Sequence, residues 1–198
     1  MFLVFGMITV FMLTVLAYTY INFAKQSEAV QLNLHTYNVI KEADELKISL
    51  LSMETGARGF AVTGKEEFLE PFNQGNIDYQ NHLKNIKVLT ADKPQYQERL
   101  SELNTSFETW LQWETTQVID VRRKITLGEM TMDDLIAIGQ TKIGKDQMDN
   151  SRKILNTIIN EEQNLLNVRQ GNLVKMEKQT AIIIVLGGLL AIMLTTII

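Results

Sequence analysis

A chain of 198 residues is long enough for one domain with its own core, or for a smaller domain plus membrane segments. It has no cysteine, which excludes a disulfide framework, a thiolate metal site and a cysteine nucleophile, and a net charge of −4 supplies no basic patch for nucleic acid. Only two prolines punctuate a sequence rich in Leu, Ile, Glu, Gln and Lys, a mixture that favours long helices over many short strands.

The distribution of charge says more than its sum, because every acid and base lies between Lys25 and Lys178. Residues 1–23 are almost wholly apolar, interrupted mainly by Thr9, Thr14 and Thr19. As a helix rising about 1.5 Å per residue they span the roughly 30 Å of a bilayer's hydrocarbon core. Tyr18 and Tyr20 stand near the end of the run, where aromatic rings prefer the headgroup level. A cleaved signal peptide is the rival reading, disfavoured by the length of the run and the lack of a small-residue cleavage site.

From Phe23 to Thr63 one long helix is expected. Leu32, Thr36, Val39, Ala43, Leu46, Leu50, Met53, Ala57 and Phe60 recur in steps of four and three, which keeps one stripe facing partner helices. Thr63-Gly64 ends it, and a second helix runs from about Glu66 to Leu89 with Pro71 near its start. Ala91-Asp92-Lys93-Pro94 turns into a third helix reaching about Leu127, closed by Gly128. Thr131 to Asp134 resembles a capping arrangement, and Gly139 and Gly144 are candidate breaks before a main fourth helix from about Thr141. That helix shows Met148, Arg152, Leu155, Ile159, Glu162, Leu166, Arg169, Leu173 and Met176 on one seam. It continues without a breaker into a second charge-free stretch, residues 180–198, with Lys175 and Lys178 able to snorkel at its start.

Short connections between successive helices imply antiparallel neighbours. The expected fold is all-α: an up-down-up-down four-helix bundle over residues 24–179, whose long first and fourth helices are continuous with transmembrane helices at 1–23 and 180–198. The second helix is shorter than the first, so the four-helix packing is expected in the membrane-distal part, with helices one and four continuing as a stem. Neither apolar end carries the Lys or Arg usual on a cytoplasmic flank. The chain is therefore expected to be a fragment with a cytoplasmic remainder beyond Ile198.

The stretch from Met53 to Gly64 (METGARGFAVTG), followed by Glu67-Phe68-Leu69-Glu70-Pro71-Phe72, resembles the signature of the type-three CHASE domain. Gly144-Lys145, Met148-Asp149, Arg152, Glu161-Glu162, Leu165-Leu166 and Arg169 are similar to that family's fourth helix. Trp110, Trp113 and Arg122-Arg123 are similar to its third, with Gln117 standing where the family would have Pro. The resemblance covers nearly all of Lys25 to Lys178. It implies an extracytoplasmic sensory domain at the head of histidine kinases, diguanylate cyclases or chemoreceptors, and it brings no common ligand.

Glu54 and Arg58 are four apart on one helical face, in an orientation that supports an ion pair. By the 1.5 Å rise, Glu54 lies about 14 Å from the first turn, and Asp149 and Arg152 lie at a similar height on the fourth helix. Glu54, Arg58, Asp149 and Arg152 are thus expected to form a polar cluster between helices one and four, fixing helix register or contacting a ligand. Arg152, Glu162 and Arg169, charged on an apolar seam, are expected either to be structural or to act as adjustable contacts that distinguish signalling states. Gly56 and Gly59 suit a close approach by another helix or a ligand. Trp110, Trp113, Phe107, Phe68, Phe72 and Tyr79 are expected to pack, and His35 and His82 to be ordinary, partly exposed side chains.

No Glu-x-x-His repeat, Ser-His-Asp set, phosphate loop or haem motif appears. No metal, cofactor or catalysis is therefore expected. The implied module sits in a bacterial inner membrane as a homodimer, contacts the lipid bilayer and is joined to a cytoplasmic kinase, cyclase or chemoreceptor output. A small extracellular ligand is possible and unidentified. The competing class is a membrane-tethered structural or assembly bundle without ligand.

Overall fold

A computed structural model describes residues 2–196. Met1, Ile197 and Ile198, the outer ends of the two expected membrane segments, lie outside the described residues.

Among the described residues the regular structure is helical throughout. The elements are α1 (Phe2–Thr63), a short 3₁₀ turn (Glu66–Leu69), α2 (Glu70–Leu89), α3 (Pro94–Trp113), a π-type stretch (Glu114–Ile119), α4 (Asp120–Thr126), α5 (Met132–Gln140) and α6 (Ile143–Thr196). They form two compact units. One is Asn38–Gln163; the other joins the chain up to Tyr37 with the chain from Asn164.

The first unit is the helical bundle. In α1 the stripe from Val39 to Phe60 is buried, with Val39, Ala43, Leu46, Leu50, Met53 and Ala57 each 0% exposed. α2 lies antiparallel to α1: Gly56 faces the backbone of Phe68 and Phe72, and Gly75 faces Ser49 and Met53. A Cβ on Gly56 would stand 2.8 Å from the Phe72 nitrogen and 2.9 Å from the Phe68 oxygen. The missing side chain is what lets the two helices close on each other.

α3 returns antiparallel to α2. The Tyr79 and Phe107 rings stack with centroids 3.7 Å apart, and Phe72 meets Trp110 at 6.2 Å. At the other end of the pair, Gln97 donates to the Lys87 and Thr90 carbonyls, both at 2.9 Å. α6 then runs antiparallel to α3, since Arg99 bonds Glu161 while Ser106 meets Gln147 and Ser151. These pairings make the long helices alternate up and down, with α3, the π-type stretch and α4 together filling the third position.

The helix ends follow from local chemistry. Gly64 adopts φ +68° and donates to the Phe60 carbonyl at 2.7 Å, a left-handed exit from α1. Thr131 and Asp134 form a reciprocal capping box that starts α5. The break before α6 is not at Gly139 or Gly144. It falls at Thr141–Lys142, with Lys142 at φ +60°. Gly144 is occupied differently: a Cβ there would collide with the Trp113 ring, so its role is to seat that indole.

On α6 the buried side chains of the bundle are Met148, Ser151, Ile154, Leu155, Ile158 and Glu162. Arg152 and Ile159 are therefore beside the seam rather than in it. On α1, Leu32 is 44% exposed and does not extend the buried stripe.

In the second unit the outer part of α1 lies antiparallel to the outer part of α6. Arg169 donates to the Leu32 carbonyl at 3.1 Å and to Thr36 Oγ1 at 2.6 Å, and Gly187 faces Val15. Both helices contain 18-residue windows long and apolar enough to cross a membrane, with mean hydropathy 1.7 and 1.6 and none of either window buried. Leu13 and Leu16 on α1, and Leu186 and Leu189 on α6, are each more than half exposed.

Candidate functional site

The i, i+4 spacing that put Glu54 and Arg58 on one face brings their side chains together at 2.5 Å. Arg152 of α6 bonds the other oxygen of the same carboxylate. Glu54 is only 9% exposed, so it links two helices in a partly dehydrated setting. Arg152 also reaches Asp149 at 3.5 Å, and Asp149 in turn bonds Lys145. The four expected residues thus form a chain, Arg58 to Glu54 to Arg152 to Asp149. Arg58 and Asp149 share no bond. The Lys145 hydrogen bond holds the Asp149 carboxyl below its ordinary range, and the same bond raises the Lys145 ammonium.

Beside this chain opens a cleft of about 190 Å³, lined by Glu54, Arg58, Trp110, Trp113, Glu114 and Lys145 with smaller residues between them. Glu114 begins the π-type stretch, a wider turn that is frequent at functional sites. It is 8% exposed. Burial, and then the charge of Glu54, push its carboxyl up to about 7, with Arg58 opposing. Its side chain has no hydrogen-bonding partner among the described residues.

A model of the CHASE3 domain matches residues 29–172. The chain belongs to the CHASE3 family. Its fold is similar to a solved histidine kinase sensor domain, HK9 of Rhodopseudomonas palustris, with TM-score 0.52 and 20% identity over 65% of this chain and 95% of that one. No curated protein sequence matches the chain. The CHASE3 assignment makes this a sensory module.

Of the remaining charged residues singled out in this CHASE3 chain, Glu162 is wholly buried and bonded by Lys93 at 2.5 Å, tying the α2–α3 turn to α6. Beside it, burial and then the Glu162 charge raise the Tyr96 phenol, and the Lys93 ammonium stands 4.8 Å from the Tyr96 ring. Arg169 instead holds Thr36 in the other unit.

Three features were not anticipated from the sequence. His82 has a partner in α1: its Nδ1 lies 2.8 Å from Glu42 Oε2, linking α2 to α1. Arg122 donates to the Ala61 carbonyl at 3.1 Å, and Arg123 forms a forked pair with Glu66, so the paired arginines close the α1–α2 end. Glu114 was legible in principle. Tyr96, Leu100, Leu103, Phe107 and Trp110 advance by four and three, and the next step falls on Glu114, an acid on an apolar seam. Among the described residues no group of three His, Cys, Asp or Glu could hold a metal ion.

Proposed function

We propose that the chain is the input module of a transmembrane receptor. The bundle lies outside the cell, and α1 and α6 cross the bacterial inner membrane in their apolar parts. A cytoplasmic kinase, cyclase or chemoreceptor output follows in the same polypeptide. The chain itself catalyses nothing. The observation that carries the reading is the Glu54–Arg152 pair beside a cleft: α1 and α6 meet there through charged groups that can exchange partners, and each helix contains a stretch apolar enough for a bilayer. A stimulus that prefers one arrangement of the two helices shifts the population toward it, and the shift is limited by its differential affinity for the two states.

The receptor works as a parallel homodimer. Along α1, opposite the buried stripe, Val30, Leu34, Tyr37, Ile48, Leu51 and Val62 are each at least half exposed. They share one heptad register with Leu13, Leu16, Tyr20 and Phe23 in the apolar part of the same helix. A partner that follows this stripe out of the bilayer must itself be fixed in the membrane with the same orientation, which a second copy satisfies.

The test is a reversible lock. In the intact gene product, Thr36→Cys with Arg169→Cys, joined by a short reducible linker, is expected to freeze output, and reductant to restore it. Normal switching in the locked protein removes the relay. Loss of switching that reductant does not restore removes it as well, since the substitutions alone would then account for the loss.

A further inference from the structure

The cleft beside Glu54 is smaller than the roughly 300 Å³ at which drug-sized pockets begin. It suits a ligand of one ring or a few atoms. Its wall combines two indoles with two carboxylates, and the charges are not equally engaged. Glu54 is held by Arg58 and Arg152, and Lys145 by Asp149. Glu114 is more than nine-tenths buried and has no hydrogen-bonding partner among the described residues. Its carboxyl lines the cleft, so a group bound there can reach it.

We propose that this cleft binds a small organic ammonium ion, with Glu114 supplying the counter-charge and the Trp113 ring packing alongside. The ammonium gives Glu114 the donor it lacks, and an indole face attracts a cation at short range. An anion would have to displace Glu54 from its arginines while facing Glu114. Occupation of the cleft bears on the Glu54–Arg152 link, because Glu54 lines the same wall.

Proton linkage arises from the surroundings. The charged groups facing Glu114 are Glu54 and Arg58 from α1 and Lys145 from α6, while α5 contributes only Gly139 to the wall. With the carboxyl at about 7, an ammonium binds the ionised form and expels the proton. Affinity therefore rises by about tenfold between pH 6 and pH 8, as expected when one group must ionise over that interval.

The inference rests on the sensory reading, yet the two fail separately. The chain has two tryptophans and both line the cleft, so indole emission reports on this site. The full chain in lipid nanodiscs is titrated with benzylammonium, benzyl alcohol and benzoate. The expected result is a saturable response to benzylammonium, at least tenfold weaker for the other two, weakened tenfold by Glu114→Gln and retained in Glu114→Asp. The Asp variant keeps the test open if the Gln variant does not fold. No saturation by benzylammonium at millimolar concentration, equal or tighter benzoate binding, or unchanged binding in Glu114→Gln overturns the site. Each of those outcomes leaves the helix relay standing, whereas free switching in the locked receptor removes the relay and not the site.

Discussion

Glu54 holds two arginines of unlike exposure, and the difference decides what each contributes. The Arg58 side chain is 72% exposed and that of Arg152 is 32% exposed. A solvent-exposed i, i+4 pair contributes under about 1 kcal/mol, while removing the partner of a largely buried charge costs several times more. Arg152→Ala is therefore expected to lower bundle stability by about 2–3 kcal/mol, and Arg58→Ala by less than about 1 kcal/mol, as read by thermal unfolding. Equal effects would mean that the interhelical bond has no special weight. A double-mutant cycle should give clear coupling for Glu54 with Arg152 and none for Arg58 with Asp149, because the latter two meet only through intermediaries.

Glu114 predicts a pH dependence of stability. Its folded carboxyl, at about 7, lies above the ordinary value of 4.5. Below 4.5 both states hold the proton and the group contributes no difference. As pH rises from 4.5 to 7 the unfolded chain releases it while the folded chain keeps it, so stability falls across that window. The loss is at most about 3 kcal/mol. Glu114→Gln should flatten the slope between pH 4.5 and 7; an unaltered slope would place the titration elsewhere. The phase of α3 made Glu114 readable at the residue level, but it did not reveal the change of helix type immediately after α3. The next buried residue, Ile119, comes five positions later because a π-type turn intervenes, and that turn spans Gln117, where the family resemblance anticipates Pro.

At the scale of elements, α1 serves two surfaces with one period. Its buried stripe was readable because apolar residues recur by four and three and the bundle covers them. The glycines were readable only as close-approach positions; the structure supplies the neighbours. Gly56→Ala would press a methyl against the Phe68 and Phe72 backbone, which cannot swing aside, and should destabilise by about 1–3 kcal/mol. Gly171→Ala on α6 meets nothing within 4 Å and should stabilise by up to about 1 kcal/mol. Thermal unfolding of both variants checks the contrast, and equal destabilisation would contradict the packing. For the exposed stripe, the lack of cysteine in this chain makes single substitutions clean reporters when the chain is expressed by itself. Ile48→Cys and Leu51→Cys should form disulfide-linked dimers in membranes, and Lys153→Cys on α6 should not. Crosslinking at Lys153→Cys alone would move the dimer contact off α1.

For the whole molecule, the all-helical fold and the approximate ends of its long helices were legible because so little punctuates the chain. Two prolines, Gly64 and Gly128 mark nearly every turn. What could not be read is which of two glycines would break the chain near α6. Neither does, because Gly144 is needed under Trp113 and Lys142 takes the left-handed turn instead. Nor could the sequence show Lys93 reaching Glu162, a bond between residues far apart in the chain that only the folded bundle brings together.

The central claim requires the bundle to stand outside the cell on two lipid-crossing helices. Single-cysteine labelling of intact cells with a membrane-impermeant maleimide tests this most directly. Asn150→Cys, exposed on the bundle, should label from outside without lysis, and Leu13→Cys and Leu189→Cys should resist the reagent until detergent is added. Labelling at Asn150→Cys only after lysis, or ready labelling at either apolar position in intact cells, would contradict it.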